Sequence, residues 1–183
     1  MKITTSDVKK WTVLKIDGEL FRVMEITHSH TWRGSANNTY KVKNIITWAT
    51  NSFTYKSWTT LEKAEVITKA ATYLYSDGEN YYFMENDNAE IHAIPYDTVE
   101  DIVPFLKENL DVYMMVYEWK VIGVILPQSI TYVVKETVEW VKWDRASAGR
   151  KPATLETWMQ VMVPLHIEQW DEVKVSTATG EVT

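Results

Sequence analysis

Thr12-Val-Leu-Lys-Ile16, Asp17-Gly18, Glu19-Leu-Phe-Arg-Val-Met-Glu-Ile26 is the stretch that decides the fold class. Apolar and polar residues alternate on both sides of a two-residue connection, the period of a strand rather than a helix. Asp-Gly supplies the two left-handed positions of a type I′ turn, so the stretch predicts a β-hairpin. The arrangement recurs at residues 72–75 and 80–84 around Ser76-Asp77-Gly78-Glu79. It recurs again at 113–117 and 120–126 around Glu118-Trp119, where tryptophan stands in glycine's place. Further strands are expected at 39–46, 53–56, 130–136, 160–164 and 171–175. Residues 98–110 break the pattern: Ile102, Leu106 and Leu110 recur at helical spacing. Asp97 or Thr98 can cap that segment, and Pro104 is tolerable near its first turn or as a kink.

One helix among many short strands predicts an all-β protein of small barrels with one insertion. Pro127 closes an apolar strand, and the charge balance changes sign near residues 62–65. Three β-barrels over 1–64, 65–127 and 128–183 are therefore expected. The chain has 183 residues, 45% hydrophobic and 24% charged, the profile of a folded protein. Zero cysteines exclude disulfides, thiolate metal sites and cysteine nucleophiles. No apolar run approaches the roughly 20 residues of a membrane span, and residues 1–7 lack a signal peptide's apolar block. An intracellular, cytoplasmic protein with no membrane partner is expected. Residues 1–63 carry ten Lys/Arg against five Asp/Glu, whereas 64–183 carry nine against twenty. A basic first third on an acidic remainder points to a polyanion facing the N-terminal part.

One count is abnormal: 6 glycines against 9 tryptophans, where average usage gives about 13 glycines. Trp11, Trp58, Trp119 and Trp170 fall between polar residues and Trp140 and Trp143 sit within Glu139-Trp-Val-Lys-Trp-Asp144, at places where the backbone is expected to turn and glycine is favoured. Two explanations compete. The indoles are stacking platforms of a single-strand nucleic-acid-binding module, or glycine belongs at these positions in the native molecule.

The motifs His28-Ser-His-Thr-Trp-Arg-Gly-Ser-Ala36 and Arg150-Lys-Pro-Ala-Thr-Leu-Glu-Thr-Trp-Met-Gln-Val-Met-Val-Pro164 resemble the bacterial translation elongation factor P family. The second is similar to the family's C-terminal signature through Lys151, Ala153, Val161, Val163, Pro164 and Ile167. Trp158 and Trp170 stand where that signature has glycine. The first is similar to the family's tip loop. The likeness runs over essentially the whole chain, including Tyr73-Leu-Tyr-Ser-Asp-Gly78 and Leu126-Pro127. Aligned this way, Trp11, Trp32, Trp48, Trp58, Trp119, Trp140, Trp143, Trp158 and Trp170 all fall at common family glycines. Such a one-way pattern is expected of a gene whose UGA codons the source reads as glycine.

The resemblance implies an SH3-like (KOW) barrel followed by two OB-fold barrels in an L, with one short helix in the middle domain. It implies a factor that binds the 70S ribosome between the P and E sites. There it would stimulate peptide-bond formation beside peptidyl-tRNA and relieve polyproline stalling, with rRNA and tRNA as partners. The tip loop, Thr31, Trp32, Arg33, Gly34 and Ser35, would reach the CCA end of the P-site tRNA. Arg33 places the loop among arginine types, for which rhamnosylation is the candidate modification. Gly149 and Arg150 align with a third-domain loop that approaches the small subunit. A monomer with neither cofactor nor metal is implied. His28 and His30 share a strand face, but His92 and His166 are remote in sequence and complete no ligand set. No nucleophile elbow, phosphate loop or zinc signature is present, so no enzyme is expected. An elongation factor P-like paralogue with overlapping role is the neighbouring alternative.

Overall fold

A computed structural model of the chain describes residues 1–30, 33–34, 36–139 and 149–183. Thr31, Trp32 and Ser35 of the tip loop lie outside the described residues, as do Trp140 and Trp143. The described chain is almost wholly β and forms three sheets.

The first sheet contains β1 (Lys2–Thr4), β2 (Val13–Ile16), β3 (Glu19–Ser29), β4 (Asn37–Asn44), β5 (Thr50–Lys56) and β6 (Thr60–Lys63). Their spatial order is β1-β6-β2-β3-β4-β5. Alternation explains its core: Leu14, Phe21, Val23, Tyr40, Val42 and Leu61 point to one side and are buried together. Phe53 packs edge-on against Phe21 at 5.1 Å between ring centres, and the Tyr40 hydroxyl donates to the Thr5 carbonyl at 3.0 Å. Asp17 and Gly18 are left-handed at φ 52° and 81°, as the Asp-Gly reading of the β2–β3 turn requires.

The second sheet holds β7 (Ile67–Ser76), β8 (Asn80–Glu85), β9 (Ile91–Pro95), β10 (Asp111–Tyr117) and β11 (Lys120–Ile125), ordered β11-β10-β7-β8-β9. Tyr73, Tyr81 and Phe83 are buried in it, while Tyr75 is exposed at its rim. The third holds β12 (Ser129–Thr137), β13 (Arg150–Leu155), β14 (Gln160–Pro164) and β15 (Glu172–Ser176), ordered β14-β13-β12-β15. Its core is Ile130, Tyr132, Val134, Leu155, Val163 and Val175. By compactness the chain forms two units, residues 1–68 with 115–123, and residues 69–114 with 124–183.

The helix expected over residues 98–110 is much shorter. A single turn, α1 (Tyr96–Val99), precedes a 3-10 turn at Val103–Phe105 with Pro104 in its first positions. Proline brings no N–H to a continuing helix, and Leu106 is already extended at φ −71°, ψ 125°. Ile102, Leu106 and Leu110 are nonetheless buried, so the spacing reported a buried face without the helix.

Candidate functional site

The candidate site is a ribbon that leaves the first sheet. Residues 21–23 of β3 are buried, but the strand continues through five exposed residues to Ser29. The β3–β4 register shifts between Val23 and Glu25, an extra residue that bends and twists the pair. Beyond this bulge the ladder continues through Thr27↔Thr39 and His28↔Asn38 to Ser29↔Asn37. On the far side β5 follows β4 as far as Asn37↔Lys56, giving the ribbon a third strand.

Side chains brace it. Thr39 and Thr54 share a hydroxyl hydrogen bond of 2.9 Å across β4 and β5. His28 Nδ1 is hydrogen-bonded to Asn38 Oδ1. Ser57 donates to the Ala36 carbonyl from its backbone N–H at 2.8 Å and from its hydroxyl at 2.9 Å, holding the returning end of the loop. Arg33 and Gly34 lie in the connection between Ser29 and Asn37, and both are exposed. Lys41 and Lys56 are also exposed, with Glu25 opposite Lys41 in the ladder. The arrangement presents a cation on a paired ribbon, suited to anionic oxygens.

Of the other expected residues, Gly149 is left-handed at φ 78° and exposed, and Arg150 opens β13 opposite Pro164, exposed as well. His28 and His30 do share a face, with 3.2 Å between their Nε2 atoms. A different trio, Glu85, Glu90 and His92, places its ligand atoms within 4.8 Å of one another. Periodicity gives no signal for it, because only the β8–β9 register brings His92 beside Glu85. The buried Glu85 carboxylate already pairs with Lys69 at 3.1 Å and His92 at 3.2 Å. Hydrogen bonding from Lys69, opposed by burial and reinforced by His92, holds its pKa below the usual value. A lysine in that position answers the carboxylate's charge as an ion pair does. Among the described residues, no helix is long and apolar enough to cross a membrane.

Three family descriptions match the chain in succession. The elongation factor P KOW-like domain covers residues 4–61, the elongation factor P OB domain residues 66–124, and the elongation factor P C-terminal domain residues 130–182. Relatives match over 98% of this chain and 97% of their own length. Elongation factor P of Thermosipho africanus and that of Moorella thermoacetica are each 36% identical, and that of Thermotoga maritima is 37% identical. Among solved structures, "Eukaryotic translation initiation factor 5A from Methanococcus jannaschii" aligns over 67% of this chain and 88% of that one. Its TM-score is 0.42 at 17% identity, too little to argue from. From its KOW-like first domain to its C-terminal one, this chain belongs to the elongation factor P family of translation factors.

Proposed function

We propose that the chain binds the 70S ribosome between the P and E sites, beside peptidyl-tRNA, stimulates peptide-bond formation and relieves stalling at consecutive prolines. Three domains over residues 1–64, 65–127 and 128–183 divide the work. The first carries the tip loop to the CCA end of the tRNA. The third presents Gly149 and Arg150 toward the small subunit. The observation that carries this reading is the exposed Arg33 at the end of a ribbon extended past the first core, in a chain aligned almost end to end with elongation factor P.

The chemistry is positioning. A guanidinium offers donors to phosphate and sugar oxygens, and a tRNA end held in a reactive pose loses less freedom on the way to the transition state. The peptidyl-transferase centre performs the reaction; this chain supplies orientation and no catalytic group. Rhamnosylation of Arg33 would lengthen the reach and add hydroxyls, and a mass shift on the tryptic peptide holding Arg33 reports it. The factor acts as a cytoplasmic monomer.

The test is a reconstituted translation system with a polyproline message. Full-length product is expected to rise on adding the factor, and Arg33→Ala is expected to lose that rise while folding normally. Equal rescue by both chains overturns the reading. Faster general elongation without a polyproline effect would instead mark a paralogue of the main factor.

A further inference from the structure

Six of the nine tryptophans lie among the described residues, and every one is left-handed: Trp11 at φ 76°, Trp48 at 60°, Trp58 at 70°, Trp119 at 68°, Trp158 at 65° and Trp170 at 74°. None of the ten tyrosines or four phenylalanines is, although their rings are comparably bulky. Large side chains avoid this region, and non-glycine residues enter it only a few per cent of the time. Aromatic bulk therefore does not explain the conformation. The turns do, and several recur elsewhere in the same molecule with a small or left-handed-tolerant residue.

The first recurring turn spans Lys9–Thr12, Lys107–Leu110 and Glu168–Asp171. In each, the fourth N–H bonds the first carbonyl, at 3.1, 3.2 and 3.2 Å, and only the third residue is left-handed. That is a type II turn, which demands Gly or Asn at its third position. In each, the third and fourth residues also exchange bonds with one residue at a strand bulge, respectively Val23, Tyr73 and Val134. The third residue is Trp11 in the first copy, Asn109 in the second and Trp170 in the last.

The second is a four-residue loop closed by two bonds. Asn44 N–H to Ala49 carbonyl and Trp48 N–H to Asn44 carbonyl match Glu85 to Glu90 with Ala89 to Glu85, and Ser176 to Glu181 with Gly180 to Ser176. The left-handed residue is Trp48, Ala89 or Gly180. The third is the type I′ pair, Asp17-Gly18 in one hairpin and Glu118-Trp119 in another. Trp58 completes a further type II turn, Lys56–Thr59. Between β13 and β14 the Leu155 N–H bonds the Met159 carbonyl and closes a three-residue loop, residues 156–158, whose left-handed place Trp158 fills, where glycine forms the usual bulge. Trp58, Trp119, Trp158 and Trp170 are 79%, 96%, 65% and 68% exposed, so burial of the indole does not hold them there.

We infer that the native polypeptide carries glycine at residues 11, 48, 58, 119, 158 and 170, encoded by UGA codons that the source organism reads as glycine. The same rule assigns glycine to residues 32, 140 and 143. The exposed indoles are then no base-stacking surface, and the turns are ordinary ones. Sequencing the gene from its source is expected to show UGA at all nine codons. The protein purified from the source is expected to have the intact mass of the nine-glycine chain and no indole emission. In a host that reads UGA as stop, the unaltered gene is expected to yield no product past residue 10. UGG at any of the six described positions, a native mass matching the tryptophan chain, or a full-length product from that host overturns the inference.

Discussion

Gly18 and Trp119 occupy the same place in the same kind of turn. Their φ angles are 81° and 68°, and each follows another left-handed residue, Asp17 at 52° and Glu118 at 46°. Exchange at these two positions therefore isolates the backbone effect. A left-handed residue with a Cβ costs about 1–2 kcal/mol, and glycine gives back roughly 0.5–1 kcal/mol through the freer unfolded chain. Trp119→Gly is expected to stabilise by about 0.5–1 kcal/mol, read as a higher denaturant midpoint at constant slope. Trp119→Ala keeps the Cβ and should gain less, while Gly18→Trp should lose about 0.5–1 kcal/mol by the same balance. Equal gains from Gly and Ala would show that indole exposure, not φ, sets the cost.

The six sites should not respond alike. Lys135 Nζ lies 3.6 Å from the Trp158 ring centre, and Arg22 and Lys10 face Trp11 at 4.9 and 5.3 Å. A cation over an indole is worth about 0.5–1 kcal/mol at an exposed site such as Trp158 and about 2 kcal/mol or more where, as with Arg22 at Trp11, the cation is buried, which offsets part of the backbone cost. Trp119→Gly should therefore gain more than Trp158→Gly, with separate thermal melts as the measurement. The reverse order would mean that ring contacts outweigh conformation in these turns.

Legibility followed how local each constraint is. The β2–β3 and β10–β11 hairpins were readable because turn chemistry and alternation sit within a few residues. β1 and β6 are not, because Lys2–Thr4 pairs with the distant Thr60–Lys63, which in turn pairs with β2, and neither short segment alternates long enough to show it. β13 carries Pro152 and a polar start, so its pattern is weak until β14 pairs along it. Arg33 is legible only through the loop motif, since an exposed loop arginine carries no periodic signal of its own. The grouping of Glu85 with His92 depends on register, and the likeness of Trp11, Asn109 and Trp170 depends on bulges in partner strands, neither of which periodicity records.

Gly123 in β11 faces the buried Arg22. A Cβ built at Gly123 would collide with Arg22 Nη1, and that same nitrogen donates to the Ile122 carbonyl at 3.1 Å. Gly123→Ala must displace a fully buried guanidinium, so a loss of roughly 1–3 kcal/mol is expected. Arg22→Met in the Gly123→Ala background should recover part of it, and a double-mutant cycle measures the coupling. Additive losses would show that the two residues do not contend for the same space.

Asp77 sets the acid response of the β7–β8 turn. Its carboxylate accepts backbone N–H groups from Asn80 at 2.8 Å and Glu79 at 3.0 Å, and the Tyr82 hydroxyl at 2.7 Å. The Asn80 bond first, then Tyr82, holds the Asp77 pKa below its ordinary value, and the same carboxylate raises that of Tyr82. The Asp77 contribution is thus present above the unfolded carboxylate pKa of about 3.9 and is lost as pH falls through the lower folded value. That of Tyr82 is present below about 10 and is lost as pH rises through the higher folded value. NMR titration should show both displacements, and Asp77→Asn should return Tyr82 toward its ordinary pKa. An unmoved Tyr82 in that variant would detach the phenol from Asp77.

Positioning and simple charge delivery by Arg33 make different demands on the loop. Two glycines inserted after Gly34 leave the guanidinium and the β3–β4 ladder intact. Lengthening a short surface connection costs only about 0.6 kcal/mol for each doubling of its length, so the unfolding midpoint should hardly change. The added links widen the range of places the guanidinium can occupy, and a positioning role loses rate steeply with such freedom. The lengthened chain is therefore expected to bind ribosomes with near-normal affinity yet recover much less full-length polyproline product. Wild-type rescue by the lengthened loop would show that a nearby positive charge is sufficient and that the geometry of the ribbon is incidental to the activity.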